Sequence, residues 1–317
     1  MKKIVVIYKG NDWYRDVPFK NLATRAAFED WHTRSQKHGF EMYRSSIDWY
    51  DTEKNVFSKA WAYRDGTWLK ISKPIKPSLI FDKLRSSHNY NLFDLKMAIN
   101  KNVKIFNNPL FRSITDNKLG QYMLFARFMP NSYLANSKRE YLGALAKIKT
   151  KMVVVKPLYG SGGFGIFIGP KSDAIRKQRL KYPLLVQEFI TGAGIPNFTP
   201  KGHLADLRII YFDHKIIYSL SRIARKGSLF TNFHQGAEAV LVPRNKIPRS
   251  ALAMSKEIVA QLAVFPEANY SLDFIFDKKG KPYLVEMNTT PGFDLLNIVG
   301  GDALIEKNLR AFLGMVE

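Results

Sequence analysis

The stretch Tyr270-Ser-Leu-Asp273-Phe-Ile-Phe-Asp277, followed by Lys278-Lys-Gly-Lys281 and Pro282-Tyr-Leu-Val-Glu286-Met-Asn288, reads as two apolar strands joined by a tight polar turn. Asp273, Glu286 and Asn288 are hard oxygen donors on otherwise apolar strands. Residues two apart on a strand share a face, so Glu286 and Asn288 point the same way, and Asp273 on the partner strand is close enough to join them. Three such oxygens suit a hard divalent cation such as Mg2+, which keeps waters and shares phosphate oxygens. An amphipathic hairpin showing a polar face to solvent is the competing reading, and the hairpin alone does not decide between them.

A second stretch, Val153-Val-Val-Lys156-Pro-Leu-Tyr-Gly160-Ser161-Gly162-Gly163-Phe-Gly165-Ile, places four glycines within six residues. Such a backbone is free to turn its N–H groups toward phosphate oxygens. No Gly-Lys-Ser/Thr follows, so it is no P-loop, and the segment after it reads as strand, so it is no dinucleotide fingerprint. It reads as a hairpin flap with a lysine closing the strand beneath it; a plain mobile hairpin loop is the alternative.

The 317 residues suffice for two or three packed modules, and 46% hydrophobic content predicts a true core. The absence of cysteine removes disulfides, thiolate metal sites and a cysteine nucleophile, and fits a reducing compartment. The apolar run Ile4–Tyr8 is too short for a signal or membrane segment and reads as a first buried strand, which makes a cytoplasmic protein the expectation. Net charge is +22, with +10 on residues 1–112, +10 on 113–187 and only +2 on 188–317. That field attracts acidic partners, although a lysine-rich soluble surface would give the same count.

Alternating strands and helices before residue 112 predict an α/β layer, with a helix over 21–37, strands near 40–47, 67–71 and 78–81, and a turn at Asn107-Asn108-Pro109. Thr115 is the expected N-cap of a helix running to about Phe128. Further strands are expected at 152–155, 166–168, 184–190, 207–212, 216–220 and 239–242, with helices at 137–148, 172–180, 248–264 and 302–313.

Read together, the strand–Lys156–glycine loop, Leu184-Leu-Val-Gln187-Glu188-Phe189-Ile190 and the Asp273…Glu286-Met-Asn288 hairpin stand in the order of ATP-grasp ligases. Over about 115–300 the chain is most similar to the RimK and glutathione synthetase-like branch. Asp116-Asn-Lys118, Val155-Lys156-Pro157, Asp206-Leu-Arg208, Ser221-Arg222-Ile-Ala224, Asn232-Phe-His234-Gln-Gly236 and Glu286-Met-Asn288-Thr-Thr-Pro291-Gly292 all contribute to the likeness. The resemblance implies an α/β (α+β) ATP-grasp architecture in three parts: an N-terminal α/β pre-domain over 1–112, a lid-bearing central unit over 113–187 and an antiparallel-sheet unit over 188–317.

By the same resemblance, Lys118 and Lys156 hold ATP phosphates beneath the flap of Gly160, Ser161, Gly162 and Gly163. Gln187, Glu188, Phe189 and Ile190 form a hinge strand that reads adenine. Asp273, Glu286 and Asn288 bind one or two Mg2+, with Mn2+ as a substitute. Arg208 and Arg222, on two antiparallel strands, grip phosphate or carboxylate, with cross-strand ion pairing as the simpler alternative. Asn232 lies near substrate and metal, and His234 is a local hydrogen-bonder. The implied reaction joins a carboxylate to an amine through an acyl phosphate, with an acidic amino acid, peptide or protein tail as the expected acceptor. A kinase acting on a hydroxyl and a silent ATP-binding interaction protein are the alternatives, and self-association stays open. No nucleic-acid motif is present.

Three departures bear on substrate choice, the first a segment 191–204 longer than usual in the family. Phe230 stands where close relatives carry an arginine, and Ala237 where they carry a second glycine. Arg225 or Lys226 is the candidate replacement for the lost cation. Asp273→Asn, Glu286→Gln and Lys156→Ala are each expected to abolish ATP turnover with the fold intact.

Overall fold

A computed structural model describes residues 1–85, 90–160, 162–229, 231 and 236–316. The chain opens on β1 (Lys2–Tyr8), whose Ile4–Ile7 are buried on both faces, as in a central parallel strand. Helix α1 (Leu22–Lys37) crosses back, started by the Asn21 side chain, which accepts from the Thr24 N–H at 2.9 Å. Then come β2 (Phe40–Ser46), the small ribbon β3 (Tyr50–Asp51) and β4 (Val56–Phe57), the hairpin β5 (Ala60–Arg64) and β6 (Thr67–Ile71), and β7 (Leu79–Asp82). Helix α2 (Phe93–Asn100) and β8 (Ile105–Phe106) complete this layer. Its sheet order is β6-β5-β2-β1-β7-β8; β2, β1, β7 and β8 run parallel, while β5 and β6 are antiparallel.

Helices α3 (Pro109–Thr115) and α4 (Lys118–Phe125) follow. The expected turn at 107–109 is instead a helix start, with Pro109 in the first turn and Asn108 accepting from the Leu110 N–H at 2.9 Å. Thr115 is not a cap: it ends α3, buried, and donates to the Phe111 carbonyl at 2.7 Å. Asn117 caps α4 instead, accepting from the Gly120 N–H at 2.7 Å.

The next sheet is antiparallel, ordered β11-β10-β12-β9, from β9 (Ser132–Ala135), β10 (Met152–Pro157), β11 (Phe167–Pro170) and β12 (Leu184–Glu188). Helices α5 (Lys138–Lys147) and α6 (Lys171–Arg176) back it, and Tyr141, Leu145, Val153, Val155 and Val186 fill the interior. The glycine stretch links β10 to β11 as the expected hairpin. Phe189 and Ile190 lie just beyond β12.

The last sheet holds β13 (Gly192–Ala193), β14 (Ala205–Phe212), β15 (Lys215–Ile223), β16 (Glu238–Leu241), β17 (Asn269–Asp277) and β18 (Pro282–Asn288), all antiparallel. Helix α7 (Arg249–Leu262) packs Ala251, Ile258 and Leu262 on it beside Leu207, Tyr270 and Phe274. Helices α8 (Asp294–Val299) and α9 (Asp302–Leu313) close the chain. Leu309 and Phe312 of α9 enter the same core as Ile4, Trp31 and Phe81, so the chain's end seals its beginning. Phe293 stacks on Trp31 with ring centroids 3.7 Å apart. Among the described residues no helix is long and apolar enough to cross a membrane.

Candidate active site

Strand β10 carries Lys156 into the interior, where only 7% of the residue stays exposed and its ammonium donates to the Val285 carbonyl at 3.2 Å. Burial pushes this lysine down to about 8, with Glu286 pulling the other way. Lys118, the first residue of α4, is also buried; its Nζ donates to the Gly160 carbonyl at 2.8 Å and lies 3.2 Å from Glu286 Oε1. One cation thus ties the flap to the closing hairpin. Gly160, Gly162, Gly163 and Gly165 all take positive φ, between +72° and +108°, which L side chains rarely adopt. Ser161 lies outside the described residues.

A cleft runs from these lysines between the two antiparallel sheets, with Val154, Ile168, Leu204 and Ile275 as apolar walls and Gln187–Ile190 along one side. Gln187 is buried and donates to Ser132 Oγ at 2.9 Å. The Glu188 carboxylate accepts from Asn131 Nδ2 at 3.0 Å and from the Lys149 N–H at 3.2 Å. Its own chain therefore occupies Glu188, and the flat apolar slot is the part of this segment open to a ring.

At the cleft's inner end the β17–β18 register sets Asp273 opposite Glu286 and Ser271 opposite Asn288, which puts all four on one face. Asp273 is fully buried. Arg208 Nε reaches its Oδ1 at 2.8 Å, Arg208 Nη2 its Oδ2 at 2.6 Å, and Arg222 Nη2 its Oδ2 at 2.8 Å. Burial alone would raise this carboxyl; the two guanidiniums outweigh it and hold it below the usual carboxylate range. Arg222 also grips Asp206, its direct partner across the β14–β15 pair, and Thr231 donates to Asp206 Oδ2 at 2.7 Å. The cross-strand ion pairs considered from sequence are therefore present, and they converge on Asp273.

The donor set fits a hard divalent ion. Among the described residues the Glu286 side chain pairs with Lys118, and the Asn288 amide sits 3.5 Å from both Ser271 Oγ and Asp273 Oδ2, where a flip presents its oxygen. Among the described residues no group of three or more His, Cys, Asp or Glu could hold a metal, so an ion here would need Asn288 and phosphate oxygens to complete its shell.

A family model for the RimK-like ATP-grasp domain matches residues 115–308, the span that carries every residue of this cleft. The chain belongs to the RimK-like ATP-grasp family. The resemblance read from its motifs is borne out. A protein named probable alpha-L-glutamate ligase from Psychromonas ingrahamii is 25% identical over 196 residues, covering 58% of this chain and 59% of that one. One of the same name from Shewanella halifaxensis is 30% identical over 172 residues, 52% of this chain and 34% of that one. The match thus spans about a third to three fifths of these relatives' length.

Solved structures share the whole fold at low identity. D-alanyl-alanine synthetase A from Vibrio cholerae has a TM-score of 0.64 at 12% identity, covering 99% of this chain and 98% of its own. The ATP-grasp ligase PsnB with its minimal precursor scores 0.59 at 14%, covering 99% of each chain. The α/β ATP-grasp architecture expected from sequence is therefore the one observed.

The structure gathers Lys118, Lys156, Arg208, Arg222, Asp273, Glu286 and Asn288 around one cleft end. Asn232 and His234, like Phe230, lie outside the described residues. Arg225 is exposed and donates to the Gly236 carbonyl at 2.9 Å, which braces the loop. Sequence reading gave no role to Asp206 or Lys83. Asp206 sits two residues before Arg208, on the strand position that pairs with Arg222, and that spacing was its signal. Lys83 directly follows β7 and donates to the carbonyls of Thr290 at 3.2 Å and Pro291 at 3.0 Å, just past Asn288. No motif marked it.

Proposed function

We propose that this chain is an ATP-dependent carboxylate–amine ligase, and that its domains divide near 112 and 187. The observation that carries the reading is the convergence of two buried lysines, two arginines and three oxygen donors at the end of an apolar slot. Lys118 and Lys156 bind the phosphates, and the flap glycines turn N–H groups to them and shed water. Arg208 and Arg222, oriented by Asp206 and Asp273, hold the acceptor carboxylate beside the γ-phosphoryl group. The carboxylate takes that group from ATP and releases ADP; the amine then displaces phosphate and leaves an amide. Mg2+, held by Asp273, Glu286 and Asn288, would supply charge neutralisation for the transfer. Positioning and electrostatics suffice for such a step without a protein nucleophile.

Relatives named as glutamate ligases and the basic first two thirds support an acidic acceptor, and a structural neighbour solved with a precursor peptide supports a peptide one. A screen of amino acids and acidic peptides for stimulated ADP release, followed by product mass, tests this. Free phosphate with an amide supports the ligase; a phosphorylated product without free phosphate makes it a kinase; no stimulated release by any of them sinks the reading. The acceptor KM is also expected to rise steeply with ionic strength between low salt and about 0.15 M, where the Debye length falls to about 8 Å. A KM indifferent to salt removes the acidic acceptor.

Lys156 gives a pH prediction. Its charged form is disfavoured in the free protein, so it loses its proton as pH rises through about 8, while Glu286, Lys118 and Asp273 act on it through space. A bound polyphosphate favours the charged form, so binding above that pH takes up a proton. ATP affinity is expected to fall by up to about tenfold per pH unit above pH 8. In Lys156→Met the slope should vanish, and calorimetry in buffers of different ionisation heat checks both.

A further inference from the structure

The N-terminal sheet carries a second cavity at the place where such sheets bind ligands. From β1 the chain winds to β2 on one side, then reaches β7 on the other side of β1. That reversal leaves a crevice beyond the carboxyl ends of β1 and β7, the usual ligand position in an open, mostly parallel sheet. A cavity lies there, walled by Tyr8–Asp12, Arg15, Pro18–Asn21, Thr24, Arg44 and Lys83–Arg85. It falls outside the residues that match the family.

Six cations line it, Lys9, Arg15, Lys20, Arg44, Lys83 and Arg85, against one carboxylate, Asp12. Half of them are engaged within the fold. Lys9 pairs with Asp48. Arg44 lies 3.2 Å from Asp12 and 3.4 Å above the Tyr8 ring centre, while Asp12 also accepts from Tyr8 and from Trp61 Nε1 at 3.0 Å. Lys83 holds the Thr290 and Pro291 carbonyls. The Arg15 side chain meets its neighbour Tyr14, and among the described residues no carboxylate pairs with Arg15, Lys20 or Arg85. Helix α1 starts on the same wall with no acidic residue in its first turn, which adds a positive helix end.

The cavity is joined to the reaction centre. Thr24 and Lys83 also line the pocket that holds Arg208, Arg222 and Asn288. Lys83, Leu84 and Arg85 also line the one that holds Lys118, Gly160 and Glu286. The cavity therefore shares walls with both pockets of the reaction centre.

We propose that this cavity binds a second carboxylate of the acid substrate, held by Arg15, Lys20 and Arg85, while the reacting carboxylate sits at Arg208 and Arg222. This rests on the ligase reading and deepens it: the substrate is a polycarboxylate such as an acidic peptide, and a monocarboxylate uses half the site. Guanidinium forks and an ammonium recognise carboxylates by charge-assisted hydrogen bonds.

The test uses N-acetyl-triglutamate as probe and the full chain carrying Arg15→Gln, Lys20→Gln and Arg85→Gln together. These side chains are exposed or half-buried, and none takes part in the proposed transfer. Titration calorimetry in the presence of ADP reads binding, and ADP release reads turnover. The expected result is at least tenfold weaker binding in the variant, with the KM for the peptide raised by a similar factor, kcat unchanged and ATP binding unchanged. Equal binding by both proteins, or no binding by the unaltered chain, overturns the cavity assignment. Binding that the variant loses, without ADP release from the unaltered chain, upholds the cavity and removes the ligase reading.

Discussion

Replacing Asp273 with asparagine is expected to abolish measurable ADP release and to destabilise the chain by about 3–5 kcal/mol, the usual cost of breaking a buried ion pair from one side. Its carboxylate accepts three N–H groups from two guanidiniums with no exposure to water. Asparagine offers one acceptor atom and turns an NH2 toward donors, leaving Arg208 and Arg222 facing each other across a neutral group. Both arginines then lose the geometry that would present them to the proposed substrate, and the proposed cation site loses a ligand. Metal-assisted charge stabilisation is worth several kcal/mol, so a loss of at least about 10³-fold follows. The sequence alone predicts lost activity on an intact fold; the buried hub joins the two effects. Glu286→Gln separates them, because among the described residues Glu286 pairs with Lys118 and is partly open. It should lose comparable activity with a nearly unchanged urea midpoint. An Asp273→Asn protein with full turnover would remove Asp273 from the site, and one with an unchanged urea midpoint would show that the arginines do not depend on it.

The contrast shows which parts of the site a sequence can carry. Asp273, Glu286 and Asn288 were readable because a hairpin fixes their mutual positions within sixteen residues of chain, by strand period alone. The flap was readable because four glycines have few other reasons to crowd together. The role of Arg208 and Arg222 stayed divided between substrate and ion pair, since the deciding partner, Asp273, lies 65 and 51 residues away. Helix punctuation was misread where two side chains compete: Thr115 and Asn117 both suit a cap, and burial of Thr115 against Phe111 decides for Asn117. The hairpin Ala60–Ile71 was half seen, because Ala-Trp-Ala-Tyr-Arg is buried over Ala60–Ala62 and so shows no alternation. Lys83 and the cavity beyond β1 depend on strand order, which no local pattern encodes.

Asp82→Asn is expected to cost about 3–5 kcal/mol of stability, read as a lower urea midpoint with an unchanged m-value. Asp82 ends β7 and has no exposed surface; Lys96 of α2 meets it at 2.8 Å and Arg112 of α3 at 2.6 Å, both equally buried. Arg112 reaches on to Asp116 at 2.8 Å, and Thr289 donates to Asp116 just beyond the metal-candidate strand. Burial would raise the Asp82 carboxyl, yet Arg112 and Lys96 hold it below the usual range. The network therefore balances two carboxylates against two cations, and removing one carboxylate strands a buried charge. The double variant Asp82→Leu with Lys96→Met takes out one charge of each sign and leaves Arg112 with Asp116. It should recover most of the loss, because an apolar pair of similar volume avoids the desolvation that the ions bear. A double variant as unstable as Asp82→Asn would mean that Asp82 acts through its hydrogen bond to the Leu84 N–H, at 2.9 Å, and not through charge balance. The outcome also bears on the site, since the same network anchors Lys83 and Leu84 on one side and Thr289 on the other, and so spaces the N-terminal cavity from Asn288.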